Sequence, residues 1–149
     1  LGASIGGRKD ARTPEWRIPS PERPVPIIVF HGLADEHVPF AGGRSPIKGG
    51  EREYISVEES VAFWVRADGC SPDPAQQTLN GGWVTVSSCS RGPEDSDVVF
   101  YALRDWGHRW PGRFFTERLA AEHPLRSFDA AEIIWSFFKE HSRPAPASL

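Results

Sequence analysis

Apolar positions change period along the chain, and each change predicts an element. The run "PIIVFHG" at residues 26–32 is continuous, rich in β-branched residues and stopped by Gly32, which suits a strand buried on both faces of a parallel sheet. "SVEESVAFWVRADG" follows at residues 56–69: Val57, Val61, Trp64 and Val65 share one helical face, Ser56 and Glu59 have capping-box spacing, and Gly69 stops the helix. In "QTLNGGWVTVSSC", Asn80, Gly81 and Gly82 separate two short apolar-alternating runs, the signature of a hairpin. A second buried strand is predicted over Val98 to Leu103, within "DVVFYALRDWGHRWPG". The last element is a strongly apolar helix, "DAAEIIWSFFKEH", capped by Asp129 with Glu132 behind it; Ile133, Ile134, Phe137 and Phe138 need a sheet to lie on.

Between these elements lie stretches without a period. Residues 8–26 are rich in Pro, Arg and Glu and read as an extended connector. "LADEHVPFAGGRSPIKGGEREYI" carries too many Gly and Pro for a regular element, and long loops at the carboxyl end of a strand are where function tends to sit. Strand, helix, strand, helix is the α/β signature, here with a mostly parallel sheet interrupted by the hairpin. One domain is expected: a connector over 1–25, a core over 26–141 and a frayed tail over 142–149.

Composition narrows the function classes. The chain has 149 residues, 39% of them hydrophobic and 25% charged, ordinary globular usage that allows a real core. A net charge of -3 carries no nucleic-acid footprint, and no apolar run approaches a membrane span. No signal peptide begins the chain, so any targeting segment was removed or lies upstream of Leu1.

Three residues invite a reading as hydrolase machinery. Gly2, Ser4 and Gly6 spell GxSxG, the nucleophile elbow of many serine esterases, but an elbow needs a strand before it and a helix after it. Only Leu1, Gly2 and Ala3 precede Ser4, and Pro14 would end any helix that followed, so Ser4 is read as a strand end entering a polar loop. Asp35 and His108 instead follow the two predicted strands at their carboxyl ends, in the acid-then-His order of the last two α/β-hydrolase triad members. Each also has a bland reading, a turn aspartate and a hydrogen-bonded histidine. His31 is read as structural. Ser45, Ser56 and Ser60 lack elbow context, and His37, His123 and His141 show no metal-ligand spacing.

"PVPIIVFHGLADEHVPFAGG", "FWVRADGC", "WGHRWPG" and "AAEIIWSFFKEH" together resemble the C-terminal half of the polyhydroxybutyrate depolymerase and feruloyl esterase-like group of secreted α/β-hydrolases. The family pattern has an HGxxDxxVPY block giving the catalytic acid and a GGHxWPG block giving the catalytic His. The resemblance therefore implies a partial α/β-hydrolase fold, Asp35 as acid and His108 as base, with the nucleophilic Ser upstream of Leu1 on the other half of the enzyme. Trp106 stands where the family usually has Gly and Arg109 where a smaller residue is usual, which bears on substrate access. Trp106 and Trp110 are expected to shape the wall beside His108.

On residues alone, Cys70 and Cys89, with 18 residues between them, are either free or paired. The resemblance implies a disulfide, closing a loop worth on the order of 3 kcal/mol, and with it an oxidising, extracellular setting. The expected function is serine-type carboxylic ester hydrolysis without a cofactor. Its substrates would be small esters, polyester oligomers, or acyl and feruloyl esters on polysaccharide; neither nucleic acid nor membrane is an expected partner. The alternative is a truncated, non-catalytic module that binds an ester or polysaccharide.

Overall fold

The computed structural model describes residues 4–10, 12–47, 51–71, 73–90 and 96–142. Its main sheet holds β3 (Ile27–Gly32), β8 (Val98–Leu103), β7 (Val84–Cys89) and β6 (Ala75–Leu79) in the order β3-β8-β7-β6. The first strand, the hairpin and the last strand thus lie where the apolar pattern puts them. The mostly parallel sheet does not: β3 and β8 are parallel, whereas β7 pairs antiparallel with both β8 and β6. The reason is the hairpin. A tight turn through Asn80–Gly82 returns β7 antiparallel to β6, and β7 then occupies the edge of β8 that a further parallel strand would need.

Alternation along the strands supplies two apolar faces. Phe100 and Ala102 of β8 and Val29 of β3 point toward α1 (Val57–Ala67), where Val57 and Val61 meet them. On the opposite face Phe30, Val84, Val86 and Leu103 form the larger core with Leu125 and Phe128, and Ile133 and Ile134 of α3 (Ala130–Glu140) pack against it. Both helices start as their caps predict. Ser56 Oγ accepts the Glu59 N–H at 3.1 Å, and Asp129 Oδ1 accepts the Ala131 N–H at 3.0 Å. Phe137 is buried, but Phe138 is exposed beside Trp135 on the outer side of α3; successive residues of a helix are turned about 100° apart, so a 3.6-residue period does not bring both members of an adjacent pair fully onto one face.

The connector and the Gly-rich loop are more ordered than their composition predicts. β1 (Gly6–Arg8), β2 (Trp16–Arg17), β4 (Gly43–Arg44) and β5 (Glu53–Tyr54) make a small antiparallel sheet in the order β2-β1-β5-β4. These strands are too short for a pattern to reveal them. The strand after Ser4 is consequently paired on both sides. A short helix, α2 (Arg113–Thr116), precedes the approach to α3. The tail beyond Ser142 lies outside the described residues. No helix among the described residues is long and apolar enough to cross a membrane.

Candidate active site

Parallel pairing of β3 with β8 in the register Gly32 to Leu103 releases two loops from the same sheet end. They are stitched together at once: Leu33 N–H donates to Leu103 O at 2.9 Å and Ala34 N–H to Trp106 O at 3.0 Å. The crossing leaves no room at Gly32, where a Cβ would stand 2.0 Å from Trp106 O. Asp105 adopts a positive φ of 52°, a conformation that Asp tolerates better than most residues. Immediately after it, Trp106 is buried in the core, and its indole N–H donates to Arg109 O at 2.8 Å. The loop is thereby closed on itself with His108 presented outward.

Asp35 begins a turn, and its two carboxylate oxygens divide the work. Oδ1 accepts the backbone N–H groups of His37 and Val38, each at 2.9 Å, an Asx-type turn. Oδ2 lies 2.9 Å from His108 Nδ1. One oxygen of this aspartate thus makes the turn, and the other is left for His108. Burial pushes the Asp35 carboxyl upward, but the hydrogen bonds from Val38 N–H, His108 and His37 N–H outweigh it and hold the group below the usual carboxylate range. An ionised Asp35 accepts, so His108 Nδ1 carries a proton, and in the neutral ring the lone pair is on Nε2. Nε2 has no partner among the described residues. The Asp35 side chain is 1% exposed and that of His108 34%, a sealed acid behind an open base.

His31 supports this turn from beneath. It is fully buried, and its Nε2–H donates to Val38 O at 3.0 Å, holding the residue whose N–H binds Asp35. Burial drives its pKa down despite Asp35 and the Val38 carbonyl, so the ring is neutral. Sequence reading assigned His31 a structural role; its link to the acid needed the fold.

The remaining candidates stand elsewhere. Ser4 Oγ sits between Gly6 O at 2.8 Å and Ile55 O at 3.0 Å, and the chain enters β1 after it, not a helix; Gly2 and Ala3 of the motif lie outside the described residues. Ser45 Oγ donates to Glu36 O, Ser60 Oγ to Ser56 O, and Ser56 caps α1. None of these hydroxyls is bonded to His108. Trp106 supports the loop as core and is not an open wall, and Trp110 packs half-buried on the same core. No group of three or more metal-ligating side chains occurs among the described residues.

Cys70 and Cys89 are free thiols, so the expected bridge is not formed in this structure. Cys70 Sγ lies 3.6 Å from Cys89 O, and Cys89 Sγ 3.3 Å from Ser71 O. Burial first, then the Cys89 thiol beside it, pushes the Cys70 thiol up to about 12. A thiol so protonated is slow to react at neutral pH.

Two curated relatives give this geometry a context. Over 73 residues, 48% of this chain and 14% of the relative, the chain is 29% identical to feruloyl esterase B of Piromyces equi. Over 151 aligned positions, 80% of this chain and 44% of the relative, it is 28% identical to "Putative esterase NocK" of Nocardia uniformis subsp. tsuyamanensis. The chain is esterase-like. It spans less than half the length of either relative. No protein-family model matches it, and no solved structure does.

Proposed function

We propose that this chain is the acid- and base-bearing part of a serine-type carboxylic ester hydrolase with an α/β-hydrolase core, and that the nucleophilic serine lies upstream of Leu1. The observation that carries the reading is the 2.9 Å contact between Asp35 Oδ2 and His108 Nδ1 with Nε2 left open. In the reaction, Nε2 takes the proton of the serine hydroxyl as its oxygen attacks the ester carbonyl. Asp35 stabilises the imidazolium without taking its proton, and the imidazolium protonates the departing alkoxide to leave an acyl-enzyme. Water repeats the sequence: Nε2 accepts its proton, the hydroxide adds to the acyl carbon, and the proton returns to the serine as the acid is released. Short polyester oligomers and feruloyl or other acyl esters on polysaccharide are the proposed substrates. Secretion belongs to the same proposal, with the neighbouring Cys70 and Cys89 joined under oxidising conditions.

The chain by itself should be silent on nitrophenyl and feruloyl esters, because a triad without its nucleophile retains only a small residue of its rate enhancement. Activity should appear when the upstream coding segment is restored, and a serine-directed phosphonate should then label a serine in that segment. Stoichiometric labelling of Ser4, with activity lost in Ser4→Ala, would overturn the assignment. Continued silence of the restored protein would favour the non-catalytic binding module. Thiol titration of protein secreted into an oxidising medium, unfolded without reductant, should find no free thiol; two would remove the bridge and its support for secretion.

A further inference from the structure

A hydrogen bond fixes one atom of a ring, not its plane. Through Nδ1 alone, His108 would remain free to pivot about the contact with Asp35 Oδ2, and its side chain is exposed enough to do so. What lies against the ring is His37: the two imidazole centroids are 4.8 Å apart with their planes tilted by 39°. His37 is on an exposed loop, yet its backbone is not loose there. Its N–H donates to Asp35 Oδ1 at 2.9 Å, so the carboxylate that holds His108 by one oxygen holds the base of the neighbouring imidazole by the other.

We propose that His37 is a positioning residue for His108, its ring bracing the flat face of the base while Asp35 fixes the base's edge. The role requires a flat side chain more than an imidazole, since the contact is made by ring faces and offset or tilted ring pairs are favourable irrespective of ring type. The proposal rests on the dyad for its catalytic meaning, but the bracing itself is read from His108 without turnover.

The test is proton NMR of the 149-residue chain at low temperature, following the downfield Nδ1–H resonance of His108 and its exchange with water. Wild-type chain should show the resonance, and Asp35→Asn should abolish it. His37→Ala should accelerate its exchange on the order of threefold to tenfold, as expected for losing one ring pair, while His37→Phe should return it close to wild type. His37→Leu, which keeps bulk without a flat face, should exchange like the alanine variant and decides the matter if His37→Ala loses the folded amide pattern. A resonance lost in Asp35→Asn but unmoved in both His37→Ala and His37→Leu would overturn the bracing and leave the dyad standing. A phenylalanine variant that exchanges as fast as leucine would also overturn it. No resonance in the wild-type chain would overturn the dyad and the bracing together.

Discussion

Asp35→Asn in the ester hydrolase proposed above, with its upstream segment present, is expected to lower kcat by about 10⁴-fold while the loop keeps its shape, the effect of forcing a triad histidine into the wrong tautomer. The division of labour between the carboxylate oxygens makes the substitution selective. An asparagine Oδ1 still accepts the His37 and Val38 N–H groups, preserving the turn. Its NH2, however, meets the Nδ1–H of His108 donor to donor, so the ring relieves the conflict by moving its proton to Nε2 and the base is lost. His108→Ala should cost more, roughly 10⁶-fold, and the double variant hardly more than His108→Ala, because triad members act as a unit. Steady-state kinetics of the three variants checks this; additive losses would mean that Asp35 and His108 do not act on one step.

The same groups set a direction for pH. Asp35 has its carboxyl lowered in the fold, so its stabilising contribution is complete above the unfolded value of about 3.9 and is lost as pH falls through the folded value. His31 has its pKa lowered by burial, so the unfolded chain takes up a proton that the native ring refuses. Its cost begins below about pH 6.5 and grows with acidification. Both make the fold acid-labile, His31 first.

Gly32→Ala should be severely damaging despite adding a single methyl group. The added Cβ would stand 2.0 Å from Trp106 O, 2.6 Å from Trp106 C and 2.9 Å from Gly107 O, all backbone atoms of the loop that carries His108. None can swing aside as a side-chain end would, so the two loops must separate. A loss above about 4 kcal/mol, in the range reserved for severe clashes, is expected from urea unfolding, together with loss of the His108 Nδ1–H resonance. Gly107→Ala is the matched control. Its Cβ would meet only Ala34 O at 3.7 Å, an ordinary contact, so a change within about 1 kcal/mol is expected. Equal tolerance of the two alanines would show that the loop crossing does not hold the dyad.

Much of this site was legible because its parts are local. Asp35 and His108 each follow a strand whose apolar run is readable without any partner, and the acid-then-His order needs only the linear chain. The hairpin turn at Asn80–Gly82, the Ser56 and Asp129 caps and both long helices are likewise decided within a few residues of themselves, by hydrogen bonds and backbone preferences that act over one turn. The small sheet was not legible, since its strands run two or three residues and exist only through partners as far apart as Gly7 and Tyr54. Nor could Trp106 be told from a pocket wall by its place beside His108, because burial is a property of the neighbours that surround it.

Strand direction belongs to that second kind. An apolar run shows that a strand is buried, but not which way its neighbour points; that follows from a hairpin bringing β7 against β8 before any parallel strand can take the edge. The pairing of His37 with His108 is of the same sort. They are distant in the chain, and only the Gly32 crossing and the turn around Asp35 Oδ1 bring them face to face. Periodicity, capping and turn chemistry are short-range and are written residue by residue, whereas the register of β3 on β8 and the geometry of the dyad are sums over contacts made far along the chain.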